Sequence, residues 1–285
     1  MRSNPAVEGR GRMGAESREA AGTTGAAEDQ PNKVVVVTGA SGGIGSAVVE
    51  ALDAAGYLVV ATDREEPRAS SGQVLTRRMR VDDENDVDSV FTFVDQVCSE
   101  RGATLHGAVN VAGVLRSSRV LETPADDWNA LFSVNAFGVF LVSKAALALM
   151  RRQLPGDPRN GRGIVTVASN SAVVPRASMA AYAASKAAAA HFTKSLGLEA
   201  AEFGVRCNVV APGTTRTPMV TDGWADPSGE EDVIAGVPAD FKTGIPLGRI
   251  ADPSDLAGVV SFLLSESAQH MTMQDLVVDG GAAQR

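Results

Sequence analysis

The sequence predicts an α/β fold: a single doubly wound domain with a parallel sheet of about seven strands and helices on both faces. Three observations carry this expectation. Short β-branched runs alternate with helical patterns from Lys33 to the C-terminus, the order that produces right-handed crossovers over a parallel sheet. The first run, Val34–Val37, is continuous rather than alternating, as in a strand buried on both faces. That run passes through a glycine-rich turn directly into a helical pattern.

The 285 residues and a 44% hydrophobic fraction are enough for one large core. The net charge is −8, from 26 basic and 34 acidic side chains, with no long basic run. Nucleic acid and anionic membranes are therefore not expected as partners. No apolar run is read as approaching the ~20 residues of a membrane span, and the N-terminus has no apolar core of a signal peptide. Cys98, on a helix face, and Cys207, in a strand, lie at no metal-like spacing and read as small core residues. His106, His191 and His270 share no spacing, so no metal is expected. The expected setting is reduced and cytoplasmic.

Residues 1–32 are rich in Gly, Ala, Glu, Arg and Ser and are expected to be a disordered tail, with Met13 an alternative start. The domain is expected over 33–285. After Val34–Val37, the turn Thr38-Gly39-Ala40-Ser41-Gly42-Gly43-Ile44-Gly45 leads into a helix through Ala54. Glycines let the backbone turn tightly beside a ligand. The helix N-terminus presents free N–H groups and a positive dipole end to a pyrophosphate. The spacing of Gly39, Gly43 and Gly45 is wider than the GxGxxG fingerprint. The next strand, Tyr57–Thr62, delivers Asp63 eighteen residues beyond Gly45. A carboxylate there can accept both ribose hydroxyls of an adenosine and would repel a 2′-phosphate, which favours NAD over NADP. Arg64 and Arg68 beside it keep the phosphorylated cofactor open.

A third strand is expected over Val74–Val81, followed by a helix with Val87, Val90, Val94 and Val97 on one face. Asp82 between them either accepts from an adenine amino group or caps that helix. The short strand Gly107–Gly113 brings Asn110 and Ala112 to a loop of small residues, with Arg116 close behind. Thr123–Met150 reads as a long helical region whose apolar stretch contains Asn135, an amide that needs a partner. The strand Gly163–Ala168 delivers Ser169, thirteen residues before Tyr182. Tyr182 and Lys186 are four residues apart among Ala and Ser, on one face of a helix expected over Ser178–Glu202. An ammonium one turn away should lower the phenol's pKa from about 10 and make it a proton acceptor. The strand Val205–Val210 ends in Pro212-Gly213-Thr214-Thr215-Arg216-Thr217. Pro218–Pro246 looks irregular and is read, with the residues just before it (213–246), as a substrate lid containing Met219 and Trp224. Asp252-Pro253 then opens a final helix, and Leu276–Gly281 a last strand and turn.

In this order, the Thr38–Gly45 turn, the Asn110–Gly113 loop, Asn135, Ser169, Tyr182, Lys186 and Pro212-Gly213 resemble the short-chain dehydrogenase/reductase family. The resemblance runs from about Lys33 to the C-terminus and implies a Rossmann-like domain. It implies Asn135, Ser169, Tyr182 and Lys186 as catalytic, with Asn135 holding a backbone kink. It implies NAD held by the glycine turn (Gly39, Ser41, Gly43, Ile44, Gly45) and by Asp63, Arg64 and Asp82. Asn110, Ala112, Tyr182, Lys186, Pro212, Thr215 and Thr217 complete the implied cofactor set. It also implies a homotetramer built on helices such as the Ala-rich one after Tyr182. A narrower resemblance lies in Asn110–Arg116, Pro175-Arg176, Phe241–Leu247 and His270–Asp275. These stretches are similar to the subgroup that oxidises 2,3-dihydro-2,3-dihydroxybenzoate with NAD in catechol siderophore pathways. The substrate set expected on this basis is Ser169 with Arg116 or Arg176 on the carboxylate and Met219 and Trp224 over the ring. The N-terminal tail and the insert Gly156–Asn160 depart from the family pattern. The rival readings are oxidation of 2,3-dihydro-3-hydroxyanthranilate or another cyclic alcohol, an NADPH-dependent ketoreductase, and a nucleotide-sensing protein without catalysis.

Overall fold

A computed structural model describes residues 33–69, 72–153, 161–224 and 228–283. The expected tail at 1–32 and the insert at 156–160 lie outside the described residues. The strands are β1 (Lys33–Thr38), β2 (Leu58–Asp63), β3 (Val74–Arg78), β4 (Thr104–Asn110), β5 (Gly163–Val167) and β6 (Arg206–Pro212). A small antiparallel hairpin of β7 (Gly236–Val237) and β8 (Lys242–Thr243) precedes β9 (Asp275–Val278). Seven strands form one sheet in the order β3-β2-β1-β4-β5-β6-β9, all parallel. The chain runs outward from β1 to β3 and then returns to place β4 on the other side of β1. The crevice beyond the carboxyl ends of β1 and β4 is therefore the topological switch point, where such sheets take ligands.

The helices are α1 (Gly43–Ala54), α2 (Glu84–Arg101), α3 (Ala125–Phe132), α4 (Gly138–Gln153), α5 (Ala180–Ala200), α6 (Pro218–Thr221), α7 (Gly229–Ala235) and α8 (Pro253–Leu264). Side chains alternate across a strand, and β1 divides its valines accordingly. Val34 and Val36 enter the layer that holds α2 and α4, with Val90, Val94, Leu141 and Leu149. Val35 and Val37 enter the layer that holds α1 and α8, with Val48, Leu52, Leu256 and Val260. All four are fully buried, which is why the run is continuous rather than alternating. Each such side chain contributes about 1.5–3 kcal/mol on burial.

Several expectations need correction. Asp83, not Asp82, caps α2: its carboxylate accepts from the backbone N–H groups of Asn85 (3.0 Å) and Asp86 (3.3 Å). The continuous stretch Ala125–Gln153 is, by length and composition, apolar enough to cross a membrane, contrary to the reading of the sequence. Its apolarity has a local cause, since α4 buries Leu141, Val142, Ala146, Leu149 and Met150 against the sheet. The stretch is not uniform either, because Ser133–Phe137 forms a π-helical turn between α3 and α4. The lid region is also more ordered than irregular. It contains α6, α7 and the hairpin, packs Trp224, Val233 and Ile234 on Ile245, Ile250 and Ala282, and is tied at its base by Arg216. That guanidinium grips both oxygens of Glu230 at 2.6 and 2.8 Å, a bidentate fork.

Candidate active site

The glycine turn lies in the switch-point crevice. Gly39 has φ +67°, and a Cβ there would stand 2.6 Å from the backbone nitrogen of Ala112. Only glycine lets the turn after β1 lie against the loop after β4. Gly45 is closer still, since its Cβ would fall 1.9 Å from the carbonyl oxygen of Gly39. Thr38 fastens the two loops together, its Oγ1 accepting from the N–H groups of Val111 and Ala112, both at 3.1 Å. At the N-terminus of α1 no side chain caps the helix and no acidic residue occupies the first turn. The end is left for an anion that comes from outside the chain. Thr217 lies against Gly43, and Thr215 is buried beneath it, which brings the segment after β6 to the same helix end.

Asp63 ends β2 beside the glycine turn. One carboxylate oxygen accepts from Ser41 N–H at 3.0 Å and the other from Arg64 N–H at 2.7 Å, so the acid is held beside the turn. Each oxygen keeps a second lone pair for a ligand hydroxyl. Asp82 accepts from Ser133 Oγ at 2.9 Å and faces the π-helical turn. Asn110 ends β4 with its amide buried, donating to Ser143 Oγ (3.0 Å) and Thr166 Oγ1 (3.2 Å), so the side chain ties β4 to its neighbours.

Ser169, Tyr182 and Lys186 come together at the mouth of this crevice. β5 delivers Ser169, and the first two turns of α5 carry Tyr182 and Lys186. The Tyr182 phenol is hydrogen-bonded to Ser169. Burial pushes its pKa above the ordinary tyrosine value, while the Ser169 hydrogen bond and the Arg176 charge pull it down. Lys186, expected to lower it, is not among these influences. The lysine is itself buried and pushed down to about 8, and its Nζ donates to Val167 O at 3.0 Å. A Cβ on Gly113 would lie 3.2 Å from that Nζ and 3.1 Å from Asn135 Oδ1, so the lysine head, the asparagine and the β4 loop meet at one point. Asn135 sits in the π-helical turn. It accepts from Val114 N–H (2.9 Å) and donates to Val114 O and Ser185 Oγ, both at 3.0 Å. The amide thus ties the π-helical turn to the loop after β4 and to α5.

Three contributors were missed in the sequence. Ser171 donates from both its Oγ (2.8 Å) and its N–H (3.2 Å) to Ser169 Oγ, which leaves the Ser169 hydroxyl hydrogen for the phenol. Ser185 joins Asn135 to α5 by donating to Tyr182 O at 2.7 Å. Asn170 accepts from Arg176 Nη1 at 2.8 Å. The run Ser169-Asn170-Ser171 after a buried strand was the available signal, since three small polar residues there need partners.

The two candidate arginines separate. Arg176 lies near enough to Tyr182 to influence its proton. Arg116 is exposed, donates to Leu115 O, and has its Nε 3.7 Å from Asp127 on α3. None of these contacts reaches the catalytic residues. In the segment 213–246, expected as a lid, Met219 is exposed, while Trp224 is partly buried against the apolar cluster of Ile245, Ile250 and Ala282. The cluster needs that ring: a Cβ on Gly229 would meet Trp224 Cγ at 2.6 Å.

Comparison with known proteins agrees with this geometry. A family profile described as "Enoyl-(Acyl carrier protein) reductase" matches residues 39–283. The 2,3-dihydro-2,3-dihydroxybenzoate dehydrogenase of Bacillus subtilis (strain 168) is 45% identical over 256 residues, covering 88% of this chain and 95% of that protein. The vibriobactin-specific 2,3-dihydro-2,3-dihydroxybenzoate dehydrogenase of Vibrio cholerae is 39% identical over 258 residues, covering 88% of this chain and 96% of that one. Among solved structures, the aldohexose dehydrogenase of Thermoplasma acidophilum superposes with a TM-score of 0.76 at 29% identity, covering 90% of this chain and 96% of that one. With its sheet order, its glycine turn and its Ser-Tyr-Lys centre, the chain belongs to the short-chain dehydrogenase/reductase family of oxidoreductases.

Proposed function

We propose that this chain oxidises a ring alcohol of 2,3-dihydro-2,3-dihydroxybenzoate with NAD, the ketone then tautomerising to 2,3-dihydroxybenzoate for a catechol siderophore. The observation that carries the reading is the Ser169–Tyr182 pair with the Arg176 charge beside it, at the mouth of a glycine cradle. The names of the relatives support the choice of ring acid. The cradle fits a dinucleotide, because the N-terminus of α1 has no side-chain cap and no acidic residue in its first turn, while Gly39 and Gly45 let the turn close tightly on itself and on the loop after β4. The turn and the α1 end would hold the pyrophosphate, Asp63 the adenosine ribose, and Lys186 the second ribose. When bound, the nicotinamide supplies the hydride acceptor. Ser169 orients the substrate hydroxyl, and Tyr182 Oη takes its proton. Arg176 meets the carboxylate. Asp63 disfavours a 2′-phosphate by like charge, the basis for choosing NAD.

The test is turnover of the purified chain on the dihydrodiol acid with either cofactor. A catechol product is expected, with kcat/KM for NAD at least about tenfold above that for NADP, a difference of about 1.4 kcal/mol. Absence of the catechol would remove the substrate, and an NADP preference would remove the role given to Asp63. We propose a homotetramer on the grounds that α4 leaves Phe140 exposed and the adjoining π-helical turn leaves Phe137 exposed, next to the Ala-rich α5. Light scattering giving a single-chain mass at micromolar concentration would refute it. A reduced, cytoplasmic setting is supported by Cys98 and Cys207, which are both buried and unpaired.

A further inference from the structure

Tyr182 is the third residue of α5, in the turn where a helix is least secured. The first N–H groups there have no partner within the helix, and helix ends fray. A side-chain cap commonly holds such a turn, and α5 has none. The chain enters the helix through Ser178, whose φ of +60° lies in the left-handed region that residues with a Cβ seldom occupy. Such a conformation persists only where the surroundings impose it. Here the surroundings are identifiable. The Ser178 carbonyl oxygen accepts twice, from Ser117 Oγ and from the backbone N–H of Ser118, both at 2.9 Å. Both of its lone pairs are then filled. Ser118 is fixed in turn. Thr123 Oγ1 gives its one hydrogen to Arg119 O at 3.0 Å, so Ser118 Oγ is the donor in its 2.8 Å bond to Thr123 Oγ1.

The same loop has a second hold on α5. Val114 is bonded through both its N–H and its carbonyl to Asn135, and Asn135 donates to Ser185 Oγ. Ser185 Oγ then donates to Tyr182 O at 2.7 Å. One attachment reaches the chain four residues before Tyr182 and the other three residues after it. We propose that Ser117 and Ser178 are positioning residues: the loop 114–118 braces the uncapped first turn of α5 and so keeps the Tyr182 phenol on Ser169. A side-chain cap would tie the helix end only to its own backbone. A brace from the loop after β4 ties it to the sheet that frames the site, and the left-handed Ser178 is what turns its carbonyl toward that loop. This rests on the reading of Tyr182 as the proton acceptor.

The test measures kcat, KM and NAD affinity of the full chain on the dihydrodiol acid and on a neutral cyclic alcohol. Ser178→Thr adds one methyl, and a β-branched residue resists a positive φ. It is expected to lower kcat at least about tenfold, since a misplacement of about 1 Å can cost about 10²-fold. The loss should be equal on both substrates, with KM and NAD affinity changed less than about threefold. Glycine takes a positive φ freely, so Ser178→Gly is expected to keep kcat within about threefold of wild type. Ser117 is exposed, so Ser117→Ala removes a hydroxyl without opening the core and keeps the test alive should the threonine variant fold poorly. Its kcat is expected to fall at least about threefold and to return in Ser117→Thr. A purely structural role would lower the melting temperature and leave kcat per folded molecule unchanged, and that result overturns the proposal. Selective loss on the acid, or equal loss in Ser178→Gly and Ser178→Thr, overturns it as well. Tyr182→Phe separates the layers. If that variant is inactive while Ser178→Thr or Ser117→Ala keeps wild-type kcat, the brace is removed and the tyrosine reading stands. If Tyr182→Phe turns over normally, both are removed.

Discussion

Tyr182→Phe is expected to abolish turnover while cofactor binding survives. The substitution removes one oxygen and keeps the ring, so the packing of α5 against the site is retained. The phenol is hydrogen-bonded to Ser169, whose Oγ already accepts twice from Ser171. Without the phenol, the substrate hydroxyl that Ser169 orients has no acceptor for its proton. General acid–base catalysis is typically worth about 10²–10⁴-fold, and kcat should fall within that range or below it. The pH profile provides a second check. Alcohol oxidation needs the phenolate, and burial raises the pKa of Tyr182 while Ser169 and Arg176 lower it. Wild-type kcat for oxidation should therefore rise with pH on the alkaline side of neutrality, and the residual rate of the variant should lack that rise. A variant that keeps more than about a tenth of wild-type kcat, or the same pH dependence, would place the base elsewhere.

This centre shows where the sequence is informative and where it stops. The continuous valines of β1 announced a strand buried on both faces, and two separate core layers take alternate residues of it. The spacing of Tyr182 and Lys186 announced a shared helical face, because four residues on a helix have few other arrangements. What the spacing could not supply was the charge balance. The sequence suggested that Lys186 tunes the phenol, but the lysine's position depends on Val167, nineteen residues away on another element. Burial and long-range partners set protonation, and neither is a property of a four-residue interval. The same limit explains Trp224 and Arg116. A tryptophan in a long connection reads as a cover, and its packing against Ile245, Ile250 and Ala282 depends on partners more than twenty residues away. An arginine after a cofactor loop reads as an anion ligand, yet Asp127 stands beside it.

Gly45→Ala is expected to remove cofactor binding. In the interior of a helix, alanine is favoured over glycine by about 1 kcal/mol, so propensity alone predicts a gain for α1. Contact geometry predicts the reverse. The new Cβ would lie 1.9 Å from Gly39 O and 2.7 Å from Gly39 C, both backbone atoms of the turn that the cofactor site depends on. A flexible side chain could step aside, but these atoms cannot move without shifting Ala112, which already lies 2.6 Å from where a Cβ on Gly39 would be. Overpacking of this kind typically costs about 1–3 kcal/mol, more than propensity returns. The expected outcome is a lower melting temperature and an NAD affinity reduced by more than about tenfold, since displacement of α1 takes its N–H groups away from the pyrophosphate. Gly258→Ala is the matched control. It lies on the exposed face of α8 with nothing within 4 Å of the new Cβ, and should leave NAD affinity unchanged with stability equal or higher. Calorimetric titration of NAD into both variants, with thermal melts, reads the difference. If Gly45→Ala binds NAD as Gly258→Ala does, the pyrophosphate does not sit at the N-terminus of α1, and the glycine turn serves only to pack the helix on the sheet.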